Sequence, residues 1–417
     1  MVTLEVVTDL ASLMVEAGLT SPMLPENRSD PYPTYAFIRR HDPVHHAPDG
    51  TWVLTRYDHA AAVLRDPRFS TNPARLGEGV DMTKESPVRQ AGSNLMMFKD
   101  PPDHTRLRGL VSQAFTPRTV DSLKPRIERL VDELLDEVVA RGDGEFDVLA
   151  DLAYPLPTVV ICELLGVPVA DRESFKGWAA GASRLLDNYL DQAALMEGMA
   201  AGMELFRYFS DLVEDRRARP GRDLLSALIA AEAEGDRLTQ AELLSTVTLL
   251  FVAGFETTMN LLGNGMLALL RNPGEIDRLR ADPSLVRTGV EELIRYDGPV
   301  HITARIATCD VEIGGEHIRE GEQVAVSLGA ANRDPEQFPE PDRLDVGRTP
   351  NRHLGLGGGP HFCLGATLAR IEAQAAFAAV LRRFPHLELA TEHPTYRDHF
   401  VIRGLTGLKV RITPPAG

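Results

Sequence analysis

The sequence predicts a mainly α-helical protein with smaller β-sheets, and three observations support this fold class. Helical patterns with short breaks fill residues 116–235. A capping box, T-Q-A-E, opens an apolar helical segment over 239–271 that is long enough, at 1.5 Å per residue, to cross the whole molecule. Strand patterns are confined to short segments near 43–57 and 300–330 and to the C-terminal tail. Helix therefore dominates, and the sheets are secondary.

Composition is that of an ordinary globular protein of 417 residues, without repeats or low-complexity linkers. We expect residues 1–417 to form one domain, with 1–30 as a flexible N-terminal segment. The 44 basic and 60 acidic residues give a net charge of −16, which argues against nucleic acid or an anionic membrane as the main partner. Three scattered cysteines, an acidic N-terminus and apolar runs too short to span a bilayer predict a cytoplasmic protein.

The first hundred residues contain a predicted hairpin and a long loop. Asp49-Gly50 between two short apolar runs indicates the hairpin, and a short helix is expected over 58–65. Residues 67–99 are rich in Gly, Pro, Ser and Asn, and a loop of this length is usually functional. Next, Pro101-Pro102 opens a helix in D-P-P-D-H-T-R-L-R, and another helix starts at Thr116-Pro117.

The C-terminal third alternates helices with short strands. A helix carrying Glu292 and Arg295 at i, i+3 ends at Gly298-Pro299, and strands are expected over 300–330. A last helix ends near Phe384-Pro385. The tail segments H-L-E-L, F-V-I-R-G-L and L-K-V-R-I also have the composition of strands.

The segment 351–365, N-R-H-L-G-L-G-G-G-P-H-F-C-L-G, presents Cys363 at the end of a glycine-dense loop, just before a strongly helical pattern. A helix N-terminus favours an anionic sulfur. Such a thiolate can be a nucleophile, a redox centre or a metal ligand, and the loop alone does not choose among them. A small buried hydrophobe is the plainer alternative.

Two further groups of polar residues occur within helical patterns. Glu256 and Thr257 follow Gly254 in the middle of the long apolar segment, where burying a carboxylate without partners costs several kcal/mol. We interpret them as functional. His104 and Arg108 are four residues apart and share one helix face. Alone, this pair is more typical of a solvated basic stripe.

The motifs together resemble the cytochrome P450 family, in its soluble bacterial type. The loop matches the haem-thiolate signature F-G-x-G-x-H-x-C-x-G at every position except Leu356, where the family has phenylalanine. A-G-F-E-T-T matches the oxygen-binding helix, and Glu292, Arg295 and Arg348 match a structural triad. The resemblance implies a helix-rich lobe, whose long central helix crosses above haem, and a small β-rich lobe.

The resemblance also implies a haem b cofactor, with no bound flavin or iron–sulfur cluster. Cys363 would ligate the iron, and cations would neutralise the two haem propionates. The implied cofactor-binding residues are His104, Arg108, Ala253, Arg305, Gly357, His361, Cys363 and Gly365.

The implied reaction is monooxygenation, in which one oxygen atom of O2 enters a medium-sized hydrophobic substrate by hydroxylation or epoxidation. Polyketides or macrolides, terpenoids and steroids fit equally. Thr257 would lie beside the oxygen-binding position, and Glu256 would connect that position to solvent protons. Electrons would come from an external ferredoxin and its reductase, docking near Arg352. The expected substrate contacts are Leu95, Met96, Met97, Val252, Ala253, Val300, Ile302, Phe400 and Val401.

Two alternatives remain at this point. One is a haem-thiolate enzyme that uses peroxide or rearranges a peroxide substrate, although relatives of this kind often lack the acid–alcohol pair. The other is a haem sensor or carrier without turnover, which does not need that pair.

Overall fold

The computed structural model describes residues 27–76, 94–186, 192–233 and 238–413 of the chain. Most of residues 1–30 and of the loop over 67–99 therefore lie outside the described residues. The α-helices are α1 (Tyr32–His41), α2 (Tyr57–Val63), α3 (Asp103–Ala114), α4 (Pro117–Arg141), α5 (Pro155–Leu165), α6 (Phe175–Ser183), α7 (Gln192–Ala218), α8 (Leu224–Ala233), α9 (Gln240–Arg271), α10 (Pro273–Ala281), α11 (Val286–Asp297), α12 (Leu328–Ala331) and α13 (Ala366–Arg383).

The strands are short and form three sheets. They are β1 (Val44–His46), β2 (Trp52–Leu54), β3 (Phe69–Ser70), β4 (Glu145–Asp147), β5 (Ile302–Ala307), β6 (Val311–Ile313), β7 (Glu316–Ile318), β8 (Gln323–Ser327), β9 (His386–Leu389) and β10 (Lys409–Thr413). The largest sheet has the order β1-β2-β8-β5-β3 and is antiparallel except for the β2–β8 pair. The predicted hairpin is confirmed, since β1 pairs with β2 from Val44↔Leu54 to His46↔Trp52.

Two hydrophobic cores correspond to the two predicted lobes. The larger core is built from helices and includes Phe251 and Phe255 of α9 together with Met96, and the smaller one lies against the five-stranded sheet around Trp52 and Val324. The prediction of a mainly α fold with smaller sheets is confirmed. That residues 1–417 form a single domain stays a prediction.

Helix α9 organises the larger core, in which it packs against α5, α6, α7, α11 and α13. Its predicted capping box is present, because the Thr239 side chain accepts a hydrogen bond from the Glu242 amide and Glu242 accepts one from the Thr239 amide at 2.9 Å. The helix then runs for 32 residues. The helix is continuous through Gly254. A Cβ at Gly254 would lie 3.2 Å from Ile161 Cδ1, so this glycine allows close packing of α9 on α5.

One strand prediction was also wrong. The segment F-V-I-R-G-L over 400–405 forms isolated bridges, Val300↔Ile402 and Tyr396↔Leu405, and not a regular strand. Its backbone groups are divided between two different neighbours, because His301 N donates to Val401 O and Arg397 N donates to Gly404 O. No single partner strand is available for a continuous ladder.

Two segments are long and apolar enough to cross a membrane by length and composition, 148–165 and Gln240–Arg271. Of the most apolar window in each, 61% is buried inside the protein. Burial to this extent is typical of core segments.

Candidate active site

The loop that carries Cys363 is anchored by a buried triad of charged residues around Glu292 of α11. Glu292 accepts hydrogen bonds from Arg295 Nε at 2.7 Å and from Arg348 Nε at 3.1 Å, and the Glu292 and Arg295 side chains are fully buried. Asn351, the first loop residue, donates to the same carboxylate at 3.1 Å. Leu354 N donates to Asn332 Oδ1 at 2.7 Å. Thus the predicted triad exists, and it anchors the loop.

The loop then turns tightly at two glycines. Gly357 and Gly359 have φ of 74° and 62°, in the left-handed region that favours glycine, and a Cβ at Gly359 would overlap the carbonyl oxygen of Leu64. After a short 3-10 turn the amide of Cys363 donates to Leu356 O at 2.9 Å. Helix α13 begins at Ala366, so the cysteine lies just before a helix N-terminus, as predicted.

The surroundings of the Cys363 sulfur suit a metal-bound thiolate. Burial raises the pKa of the thiol, whereas the Gly365 amide and the nearby Arg108 and Arg370 guanidinium groups lower it. These three groups stabilise an anionic sulfur without neutralising it by a direct ion pair. A metal ion that displaces the thiol proton would find a ligand whose charge is already tempered by hydrogen bonding.

The four side chains predicted to bind the haem propionates, those of His104, Arg108, Arg305 and His361, form one cluster around His361. The rings of His104 and His361 are 4.0 Å apart between centroids, and Arg108 Nη2 donates to Phe362 O at 2.6 Å. Arg305 is 5% exposed and donates to Thr303 Oγ1 and to the carbonyl of Ala304. Burial, the neighbouring His104 and then Arg305 lower the pKa of His361 to about 3. The structure therefore brings all four side chains together.

None of these four side chains forms an ion pair with a carboxylate within the part of the chain that the structure describes. Burial lowers the pKa of Arg305 to about 10, which is still far above neutrality, so its charge remains. A buried cation without a counter-ion is costly. The donor set fits a partly buried ligand that brings its own carboxylates, as a haem does.

Sequence reasoning missed two members of this cluster. Thr71 Oγ1 lies 3.4 Å from His361 Nε2, and its amide donates to Asp100 at 3.1 Å. Asp100 also accepts a hydrogen bond from Ser70 Oγ and raises the pKa of His104, His361 and Arg305. The position of Asp100 directly before Pro101-Pro102 was a usable signal, whereas nothing in the sequence marks Thr71.

The two residues predicted to be catalytic are on α9 but have different partners. Thr257 Oγ1 donates to Ala253 O at 2.7 Å, and the exposed Ala253 shares its helix face. The Glu256 side chain is 1% exposed, with its Oε1 at 3.6 Å from Arg397 Nη1 in the C-terminal segment. Arg397 was not predicted, because no motif in the irregular tail marks it.

The predicted substrate contacts fall into two groups that the structure describes. Val300 is bridged to Ile402, His301 N donates to Val401 O, and Ile302 begins β5, so Phe400 and Val401 lie beside the start of this strand. Leu95, Met96 and Met97 lie at a short 3-10 helix, Met96–Phe98, that packs on α3. Met96 is in the larger core, and Val252 of α9 packs against that core.

A family model for cytochrome P450 matches residues 44–409, which span the anchored loop, the cation cluster and α9. The chain belongs to the cytochrome P450 family. Family membership implies a haem-iron cofactor, O2 and a redox partner, and the protein is an oxidoreductase of the monooxygenase type.

Bacterial P450 proteins resemble the chain over nearly its whole length. Cytochrome P450 monooxygenase PikC of Streptomyces venezuelae is 42% identical over 391 residues, which cover 92% of this chain and 91% of that protein. Vitamin D(3) 25-hydroxylase of Pseudonocardia autotrophica is 42% identical over 392 residues, covering 92% and 94%. Among solved structures, P450BioI in complex with an acyl carrier protein ligated to hexadec-9Z-enoic acid has a TM-score of 0.87 at 42% identity, covering 93% of this chain and 100% of that one.

Proposed function

We propose that the protein binds haem b and inserts one oxygen atom of O2 into a medium-sized hydrophobic substrate, by hydroxylation or epoxidation, with electrons from a ferredoxin. The observation that carries this proposal is that His104, Arg108, Arg305 and His361 meet beside the Cys363 loop without forming an ion pair with a carboxylate among the described residues. Cys363 would be the axial ligand. His104, Arg108, Arg305 and His361 would hold the haem carboxylates, with the Gly365 amide directed at the sulfur and Gly357 giving the tight turn. When bound, the haem iron supplies oxygen activation, which a thiolate ligand promotes.

The chain itself would supply shape and protons on the other side of the haem. Ala253 and Thr257 are one turn apart on α9 and both have small side chains, which suits the approach of a flat ligand. The Thr257 hydroxyl, now bonded to Ala253 O, can turn to donate a hydrogen bond into the space beside this face. Glu256 Oε1 would hold the proton that is passed toward that hydroxyl.

The substrate would contact an apolar surface. Leu95 to Met97 and Val252 lie at the larger core, and Val300, Ile302, Phe400 and Val401 form a second apolar wall. The names of two relatives, a vitamin D(3) 25-hydroxylase and a protein crystallised with a C16 fatty acyl group, support large apolar substrates of different shapes. Polyketides or macrolides, terpenoids and steroids all belong to this size class.

Electrons would enter from an acidic iron–sulfur protein and its reductase at the surface near Arg352, which is exposed. The arginines of α13 contribute less to this docking surface, because three of them are paired with acids of the same chain. Arg370 is paired with Glu291 at 2.6 Å, Arg382 with Asp132 at 3.1 Å, and Arg383 with Asp136. We also propose a cytoplasmic location, with neither nucleic acid nor a membrane as a partner.

The decisive binding experiment is a screen of hydrophobic compounds for the ferric low-spin to high-spin shift of the purified holoprotein. We expect red protein whose reduced carbon monoxide complex has the red-shifted Soret band of a thiolate ligand. Polyketides, terpenoids, steroids and fatty acids form the arms of the screen. Holoprotein with that band but without a spin shift in any arm would contradict the proposed substrate class.

The proton-transfer role is tested by Thr257→Ala. We expect haem binding and the spin shift to persist, whereas reducing equivalents are diverted from product to hydrogen peroxide, with product yield falling about 10-fold or more. The matched control is Thr258→Ala, because Thr258 is buried and interacts with Glu372 on α13. Full coupling in Thr257→Ala would overturn the assignment of this hydroxyl.

A further inference from the structure

A small pocket lies beside the C-terminal segment and reaches Arg397, the partner of Glu256 on α9. It is lined by Arg28, Pro31, Tyr35 and His301 and by residues of the segment 396–404. We refer to it as the C-terminal pocket. Arg397 lines this pocket and also pairs with Glu256 Oε1 at 3.6 Å. One guanidinium therefore separates the pocket from the carboxylate of Glu256.

The three arginines of this pocket do not form an anion site. Arg28 is paired with Asp398, Arg397 with Glu256, and Arg403 Nε with Asp297 Oδ1 at 2.7 Å. Burial lowers the pKa of His301, so this imidazole is neutral at physiological pH. Positive charge in the pocket is matched by acids, which favours a neutral polar ligand such as water.

A stripe of buried amides on α9 continues from Glu256 along the same helix face. Asn260 and Asn264 follow Glu256 by one and two turns and are 1% and 0% exposed. Asn264 Nδ2 donates to the carbonyls of Asp297 and Arg403, at 3.3 and 3.1 Å. Its Oδ1 and both polar atoms of Asn260 have no hydrogen-bond partner among the described residues.

The amide stripe touches the wall of the C-terminal pocket. A Cβ at Gly404, which lines the pocket, would overlap the Asn260 carboxamide, so the backbone of Gly404 lies directly on this side chain. A buried polar atom left without a hydrogen bond is costly, and in native proteins ordered water usually satisfies such atoms. Polar groups thus extend from the pocket, through Asn260 and Arg397, to Glu256.

We propose that the C-terminal pocket is the route by which water, and with it protons, reaches Glu256. In this scheme Arg397 fixes the Glu256 carboxylate, and Asn260 binds the water that renews its proton; both are positioning residues. The inference rests on the proposed role of Glu256 as the proton-holding group. It adds the place from which that group is supplied, the C-terminal pocket, whose lining includes Arg397 and Gly404 and also the expected substrate contact Phe400.

The first test follows the Glu256 carboxylic acid by infrared difference spectroscopy of the ferric holoprotein, using Glu256→Gln to identify its band. An opposite charge at this distance stabilises the ionised form. Arg397→Ala should therefore raise the pH midpoint of the band by at least about one unit, a 10-fold change in proton affinity. Arg411→Ala is the matched control, since Arg411 is an exposed arginine of the same tail, 4.0 Å from Glu388. An unchanged midpoint in Arg397→Ala would overturn the role of this residue.

The second test measures proton supply without turnover. After rapid mixing with D2O, the Glu256 band shifts as its proton exchanges. Asn260→Leu, which fills the same space without hydrogen bonds, should slow this shift severalfold, and Asn260→Asp should restore much of the rate. Equal rates in Asn260→Leu and wild type would show that water reaches Glu256 by another route.

Turnover separates failure of this inference from failure of the proposed function. With a substrate from the spin-shift screen, Glu256→Gln should divert electrons to hydrogen peroxide, and Asn260→Leu should do so to a smaller extent with a larger solvent isotope effect. If Glu256→Gln uncouples but Asn260→Leu does not, the water route is wrong and the role of Glu256 stands. If Glu256→Gln remains coupled, the proposed role of Glu256 itself is wrong.

Discussion

Two clusters of charged side chains beside the cysteine loop differ in how their charge is balanced. In the Glu292 cluster, one fully buried carboxylate is shared by Arg295 and Arg348, whose remaining donors bind backbone carbonyls. In the His361 cluster, two arginines and two histidines meet without an acid in ion-pair contact within the described residues. In the Glu292 cluster the charges are balanced within the protein, as expected for a structural support. The His361 cluster needs an anionic ligand to balance its charge, as expected for a binding site.

The largest expected effect comes from removing the carboxylate of the Glu292 cluster. Glu292→Gln leaves two buried guanidinium groups without their counter-ion, and breaking a buried pair in this way costs about 3–5 kcal/mol. This is a large part of the stability of an ordinary domain, so we expect a large loss of folded holoprotein. Denaturant unfolding measures it. Glu388→Gln, at an exposed glutamate paired with Arg411, should change stability little. Equal stability of the two variants would contradict the supporting role.

The opposite pattern is expected in the His361 cluster. Arg305→Leu removes a buried charge that forms no ion pair with a carboxylate among the described residues, so the apoprotein should be at least as stable as wild type. Haem affinity should fall about 10- to 100-fold, the loss expected for one charge-assisted hydrogen bond. Transfer of haem to a scavenging protein measures this.

Arg39 provides the matched control for Arg305. It is a buried arginine that donates to Ala330 O at 2.8 Å, within the protein itself. Arg39→Leu should lower apoprotein stability and leave haem affinity unchanged. If Arg305→Leu behaves like Arg39→Leu, the His361 cluster is structural as well.

Glu372 sharpens the comparison as a buried acid that interacts with a neutral hydroxyl, that of Thr258. Burial raises its pKa from 4.5 to about 8. Between these two values the folded state holds a proton that the unfolded state has lost, so stability should fall as pH rises from about 5 to 8. In unfolding experiments across this pH range, the free energy of unfolding of Glu372→Gln should fall by roughly 2–4 kcal/mol less than that of wild type. An identical slope in the variant would show that Glu372 is ionised in the folded protein.

The smallest effect is expected at Leu356, where the chain departs from the family signature. Its carbonyl oxygen accepts a hydrogen bond from the Cys363 amide, and its side chain packs on the larger core. We expect Leu356→Phe to shift the reduction potential with ligation intact, because groups around a ligand tune its metal. Spectroelectrochemistry measures the shift. Phe362→Leu, on the same loop but 40% exposed, should leave the potential unchanged.

Much of the fold was predictable because its signals are local. The capping box and apolar pattern of α9, the Asp49-Gly50 hairpin and the start of α13 depend on residues close in the chain, and each is present. Predictions failed where partners are distant. The segment 400–405 has strand composition, but its hydrogen bonds go to two different neighbours.

The candidate site shows the same division. By itself, the sequence determined the loop that turns into α13 at Cys363, the glycines that this turn requires and the buried acid on α9. Only the tertiary structure decided that His104, Arg108, Arg305 and His361 meet, that Thr71 and Asp100 lie beside them, and that Glu256 pairs with Arg397. The hydrogen bond from Arg108 to the Phe362 carbonyl joins residues 254 positions apart, and no local pattern in the sequence records such a contact. Local sequence preferences determine the helix, strand or loop that carries a side chain, and tertiary packing determines which residues that side chain contacts.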